Sequence, residues 1–163
     1  MKNILVPTDL SESSVVAMDY ARPLAAHYRA QIYIIHVMTD EPPIACSINI
    51  NLDKHTRTTS NSSNPEIEQF FSEQIKQDKN IVCIIRCGEA SKEILKFAEE
   101  EQIDLIVLST HGRTGLSNIL MGSVAEKVVR YATISVVTVK TETIRGTLLD
   151  EEDIEEQLHT KLE

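Results

Sequence analysis

The stretch VLSTHGRTGLSNILMGSVAEKV, residues 107–128, runs from the end of an apolar segment into a helical pattern. A connection between a strand and a helix in an α/β protein usually takes about 2 to 6 residues. This connection is roughly twice that usual length and contains Gly112, Gly115 and Gly122. Glycine lets the backbone approach a ligand closely and adopt conformations that other residues avoid. The stretch therefore predicts a loop that holds a ligand.

Short apolar segments rich in Ile and Val recur on both sides of this loop. Most are continuous rather than alternating, as in strands buried on both faces; they span residues 3–6, 32–37, 81–86, 103–109 and 134–139. Helical patterns alternate with them, over residues 12–29 (where Pro23 is expected to kink or interrupt the helix), 65–75, 90–101 and 123–131. This order predicts a doubly wound, Rossmann-like α/β fold, an open parallel sheet of five strands with helices on both faces.

The chain of 163 residues, with a hydrophobic content of 42%, fits one globular domain. We expect this domain to span residues 1–140. Within it, residues 39–63 are long, polar and rich in Ser, Thr and Asn, so they are interpreted as a flexible insertion, either a lid or a disordered loop. Residues 141–163 form an acidic C-terminal extension that carries most of the net charge of −9.

Composition excludes several classes of function. The chain has no basic face for nucleic acid and no apolar segment of membrane-spanning length. The N-terminus does not resemble a signal peptide, so we expect a cytoplasmic protein. Three cysteines without metal-ligand spacing agree with a reducing compartment, and Cys83 and Cys87 are predicted to be buried thiols.

A ligand of an open parallel sheet binds beyond the carboxyl ends of the strands, where the strand order reverses. The first predicted strand is followed by Pro7, Thr8 and Asp9, and the fourth ends in the sequence STHG. Ser123 is predicted to be the N-cap of the last helix, whose unpaired N–H groups and positive dipole end suit a phosphate. Gly112 would offer further N–H groups from the other side of such a phosphate.

These features resemble the universal stress protein family along residues 1–140. The nucleotide-binding branch of that family carries the motif G-x2-G-x9-G-[S/T], which this chain matches with Gly112, nine intervening residues and Gly122-Ser123. Ser109 stands where the first glycine of the motif would be. The opening sequence ILVPTDLSE also matches the first strand and turn of the family.

The resemblance implies an adenine nucleotide, ATP or AMP, with Mg²⁺ or Mn²⁺ on the phosphates. It implies a regulatory or stress-response module, with a ligand-free dimeric interaction module of the same fold as the alternative. It further implies a homodimer through the last strand, residues 134–139, which suits an exposed apolar edge. Carried over by position, it puts Pro7, Thr8 and Asp9 beside the nucleoside, the main chain of Val37 at the adenine edge, Leu108 and Ser109 beside the sugar, and Gly112, Gly122, Ser123 and Val124 at the phosphates.

Other interpretations of single residues stay open. Asp9 could instead form a capping box with Glu12, and His36 is interpreted as a hydrogen-bonded core histidine. No catalytic residue and no metal-binding group of side chains is predicted. The chain lacks the G-x4-GK[ST], GxGxxG and GxSxG motifs of other nucleotide-binding or hydrolytic folds, so we expect no enzyme activity beyond slow, incidental ATP hydrolysis.

Overall fold

The computed structural model describes residues 1–39, 47–50, 64–78, 80–110 and 121–140, and for residues 47–50 the backbone alone. The predicted C-terminal extension and most of the predicted insertion therefore lie outside the described residues. The described strands are β1 (Asn3–Thr8), β2 (Gln31–Met38), β3 (Ser47–Ile50), β4 (Ile81–Cys87), β5 (Leu105–Ser109) and β6 (Ser135–Val139). The described helices are α1 (Glu12–Tyr28), α2 (Pro65–Gln77), α3 (Ala90–Glu100) and α4 (Ser123–Tyr131).

One sheet holds all these strands in the order β3-β4-β2-β1-β5-β6. The five strands predicted from the apolar segments pair in parallel. Helices α1 and α2 bury their apolar residues against one face, around Met18 and Phe71, whereas α3 and α4 cover the other face, around Phe97 and Val128. The doubly wound α/β fold predicted from the sequence is thus confirmed.

Strand β3 was not predicted. It pairs antiparallel to β4, with Ser47 opposite Arg86, and lies inside the segment interpreted as an insertion. The segment SINI has only two apolar residues and lies in a long polar stretch, so no strand pattern stood out there. It forms at the outer edge of β4, where unpaired N–H and C=O groups offer hydrogen-bond partners.

The helix starts follow local sequence signals to different degrees. Helix α2 begins as predicted, because Pro65 occupies its first turn and the Asn64 side chain accepts a hydrogen bond of 3.0 Å from Glu66 N. Helix α1 is not interrupted at Pro23.

None of the helices in the described part of the chain is long and apolar enough to cross a membrane.

The two cysteines of β4 differ. Cys83 is a buried free thiol as predicted, and burial raises its pKa to about 12, so it stays protonated at neutral pH. Cys87 is also buried, but it is disulfide-bonded. The prediction of a thiol at Cys87 is therefore wrong, because spacing in the sequence does not show which cysteines the fold brings together.

Candidate functional site

A cleft opens at the carboxyl end of the sheet, where the strand order reverses. The chain passes from β1 to β2 on one side and later returns to β5 on the other side of β1. Parallel sheets bind ligands at such a switch point, since the connections leave it in opposite directions. The cleft has a volume of about 290 Å³, close to the lower limit of about 300 Å³ for small-molecule sites.

The structure brings nine of the ten predicted site residues to this one cleft. Gly112 lies outside the described residues. The residues from the strand ends and the start of α4 that line the cleft are Pro7, Thr8, Asp9, Val37, Leu108, Ser109, Gly122, Ser123 and Val124. They come from four separate parts of the chain, so the fold assembles them.

Seven further lining residues were not predicted to be site residues. They are Ser14, Ile35, His36, Ala90, Ile94, Thr110 and Ala125. Ala90 and Ile94 lie one turn apart at the start of α3. The one signal in the sequence that could have indicated them is that this helix begins directly after a strand. Together with Ile35 and Leu108 they give one wall of the cleft an apolar surface.

The turn after β1 is held by side-chain hydrogen bonds. Buried Thr8 Oγ1 lies 2.7 Å from Ser14 Oγ and accepts a bond of 3.0 Å from Leu10 N. Leu10 has a φ of 67°, a left-handed conformation that this hydrogen bond supports. The turn therefore has one fixed shape at the floor of the cleft.

Asp9 is fixed within the same turn. Its Oδ1 accepts hydrogen bonds from Ser11 N at 3.1 Å and from Ser11 Oγ at 2.5 Å. Helix α1 has Ser11 as its N-cap, so Asp9 precedes the cap and the alternative of a capping box with Glu12 is wrong. The carboxylate is positioned at the cleft by the neighbouring serine.

His36 lies in the wall of the cleft rather than in the core. Its Nδ1 is 2.9 Å from the carbonyl oxygen of Thr8, its partner in the β1–β2 register. The ring is hydrogen-bonded, as interpreted from the sequence, but it is only partly buried and lines the cleft. Val37 follows the last β1–β2 pair, so the backbone of β2 passes the end of β1 there and reaches the cleft.

Helix α4 points its N-terminus at the cleft. Its N-cap is Gly122, one residue earlier than predicted, with φ −64° and ψ 152°. Gly122 N donates to Thr110 O at 2.7 Å, and Glu126 N donates to Gly122 O at 2.9 Å, so the helix already starts after Gly122. Helix geometry leaves the N–H groups of residues 123–125 without intrahelical acceptors.

The backbone conformation at position 122 does not require a glycine. Its φ and ψ are open to all residues. A Cβ atom built there would lie 3.5 Å from Thr110 O, an ordinary van der Waals contact. What glycine provides at this position is bare backbone beside the first turn of α4.

Ser109 is the last residue of β5 and pairs with Val139 of β6. It is not among the described residues with positive φ. Serine therefore occupies this position without backbone strain. In the part of the chain that the structure describes, no three His, Cys, Asp or Glu side chains are grouped as metal ligands.

Comparison with known proteins adds to this geometry. A model of the universal stress protein family matches residues 1–140. The chain is 31% identical over 139 residues to universal stress protein MJ0531 of Methanocaldococcus jannaschii, which covers 85% of this chain and 82% of the relative. Its fold is similar to the solved structure of protein MJ0577 of the same organism, with a TM-score of 0.69 and 27% identity, covering 86% of this chain and 96% of the other.

A second solved structure is a universal stress protein of Archaeoglobus fulgidus in complex with dAMP. It has a TM-score of 0.57 and 19% identity, and the alignment covers 86% of this chain and 98% of the other. At this identity the similarity shows a shared fold.

Proposed function

Since the chain belongs to the universal stress protein family, we propose that it is a regulatory or stress-response module that binds an adenine nucleotide, ATP or AMP, in the cleft. The observation that carries this proposal is the start of α4 at Gly122. Bare backbone, N–H groups without intrahelical acceptors and the positive end of a helix dipole meet there in one cleft. Such a helix start binds phosphate without a cationic side chain.

The cleft also suits the other parts of a nucleotide. Ile35, Ala90 and Ile94 form an apolar wall for the flat base, whose edge meets the main chain of Val37. Asp9 and Ser109 offer oxygen atoms to the sugar hydroxyls, beside Pro7, Thr8 and Leu108. We place the phosphates at Gly122, Ser123 and Val124. Gly112, which the resemblance also puts at the phosphates, lies outside the described residues. The complex of the A. fulgidus protein with dAMP supports a nucleotide as the occupant of this fold.

The proposal is tested by the nucleotide content of the purified protein. Denaturation should release an adenine nucleotide, identified by chromatography, or the nucleotide-free protein should bind AMP or ATP in calorimetric titration. GTP is the matched competitor, because it shares the sugar and phosphates but not the base edge. A protein that neither carries nor binds adenine nucleotides would instead be a ligand-free interaction module of the same fold.

A divalent cation fits this site through the nucleotide. Mg²⁺ is usually bound by a few carboxylates and by substrate phosphates. Asp9 is the acidic side chain that the structure places in the cleft lining. We propose that Mg²⁺ or Mn²⁺ is held mainly by the phosphate oxygens, so that its affinity for the protein depends on bound ATP.

Any ATP hydrolysis is expected to be slow. Fast phosphoryl transfer needs a positioned base or water-holding residue, several cationic groups and a fixed metal. Asp9 is the acidic side chain that lines the described part of the cleft, and its Oδ1 already binds Ser11. Turnover should therefore stay below about 1 s⁻¹, the lower end of the kinase range. A higher rate that persists through repeated purification would contradict a purely regulatory module.

Ser109→Gly is expected to change AMP or ATP affinity by less than about tenfold. Ser109 lies in a strand without positive φ, so its replacement relieves no strain. A small loss is the favoured direction, because the variant lacks the serine hydroxyl beside the sugar. Titration calorimetry on both proteins measures the change. If only the variant bound nucleotide tightly, the serine at position 109 would be the reason that the wild-type protein does not bind it.

We further propose that the protein is a homodimer through β6. This strand is the outer strand of the sheet beside β5, with Ser135 and Thr138 exposed and its valines only partly buried. Apolar side chains of α4, Val129 and Tyr131, are exposed nearby. An open strand edge of this kind is a template for pairing with a second copy.

A further inference from the structure

An ion pair joins the two helices whose first turns line the cleft. Lys127 Nζ of α4 lies 2.9 Å from Glu89 Oε1, and Glu89 is the N-cap residue of α3. Directly after Glu89, Ala90 forms part of the cleft wall. The pair therefore bridges α3 and α4 at the rim of the cleft.

The position of Lys127 on α4 brings its ammonium group toward the phosphate site. Lys127 follows Ser123 by four residues, so both side chains lie on one face of the helix. Helical side chains tilt toward the N-terminus, and a lysine spans about one turn. This tilt directs the ammonium group toward the first turn of α4, where Ser123 and Val124 line the cleft; Lys127 itself does not line the cleft in this structure.

The carboxylate of Glu89 keeps other hydrogen-bond partners when Lys127 leaves it. Its Oε2 lies 2.7 Å from Lys92 Nζ, and its Oε1 also accepts a hydrogen bond of 3.1 Å from Ser91 Oγ. These hydrogen bonds, from Lys92 first, hold the pKa of Glu89 at about 2, so the carboxylate is charged at neutral pH. Without Lys127 it would still be paired with Lys92.

We propose that Lys127 recognises phosphate. Without nucleotide its ammonium group is paired with Glu89, and the 5′-phosphate of a bound nucleotide replaces Glu89 as its partner. This inference rests on the proposed nucleotide site. It adds that Lys127 makes the site bind a nucleotide more tightly than the nucleoside, which has no phosphate. Exposed ion pairs contribute little stability, and the side chains of Lys127 and Glu89 are 52% and 41% exposed. A phosphate monoester with a charge of about −1.5 to −2 is the stronger partner.

The experiment compares AMP with adenosine by titration calorimetry on the full chain. In Lys127→Gln, AMP affinity should fall about threefold to tenfold, whereas adenosine affinity should stay within about twofold. In Glu89→Gln, AMP affinity should rise, because the lysine is no longer held back, and adenosine affinity should again be unchanged. Lys96→Gln is the matched control: it removes another exposed lysine charge, paired with Glu100 on a later turn of α3, and should change neither affinity.

Other results would overturn the inference. Lys127→Gln could leave AMP binding unchanged, or weaken adenosine as much as AMP, and either result would exclude phosphate recognition by this lysine. A loss of AMP affinity in Glu89→Gln would show that the bridge positions α4 instead of restraining Lys127. If the wild-type protein bound adenosine and AMP equally, this inference would fail, whereas the proposed binding of the adenine base in the cleft would still hold. If it bound no adenine compound, the proposed function would fail first and this inference with it.

Discussion

Gly122→Val is expected to weaken AMP or ATP binding by about 100-fold or more while the protein still folds. Binding through the first turn of α4 needs the phosphate in contact with backbone N–H groups, and each hydrogen bond to a charged group contributes about 1.5–3 kcal/mol. A branched side chain at Gly122 keeps the phosphate away from these groups. Losing one or two such bonds corresponds to the predicted drop in affinity.

Folding should tolerate this change. The φ of −64° and ψ of 152° at Gly122 suit valine, and a Cβ atom there meets only Thr110 O at a normal distance. Loss of the glycine N-cap costs about 1 kcal/mol or less. Circular dichroism and thermal melting establish that the variant is folded, and Gly122→Ala should give an intermediate affinity. A folded valine variant that binds like the parent would refute the phosphate site at α4.

Thr138→Pro is expected to convert the proposed dimer into a monomer, with the dissociation constant raised by about 30-fold or more. Thr110 N donates to Val139 O, so the backbone groups of Val139 face β5. Backbone groups alternate in direction along a strand, so those of Thr138 face the open edge. Proline removes this outward N–H while the bonds to β5 remain, and in a two-fold interface each loss, about 1–3 kcal/mol, counts twice.

Light scattering and analytical ultracentrifugation at micromolar concentration measure this effect. Proline is tolerated in edge strands when its position faces solvent, so the monomer should stay folded. Thr138→Val is the control, since it keeps the N–H group and should remain dimeric. A wild-type monomer would exclude the dimer, and a dimeric Thr138→Pro variant would place the interface on another surface.

The parallel strands were predictable because burial on both faces leaves a direct record in the sequence. Continuous apolar segments mark β1, β2, β4, β5 and β6, and the pair Asn64-Pro65 marks the start of α2. The family resemblance, which the match over residues 1–140 confirms, came from the spacing of Gly112 and Gly122 and from the turn after β1. These signals are local: each depends on residues that are neighbours in the chain, or on a spacing within one loop.

What the sequence by itself determined is the alternation of strands and helices, the family and the residues at the ends of β1 and β5. Only the tertiary structure decided which distant residues meet. Strand β3 pairs with the edge of β4, and Ala90 and Ile94 form a cleft wall because α3 packs on the face of the sheet that carries Ile35 and Leu108. Glu89 and Lys127 are 38 residues apart and pair because α3 and α4 pack on the same face of the sheet. Such contacts depend on the packing of whole elements, which no local pattern of residues records.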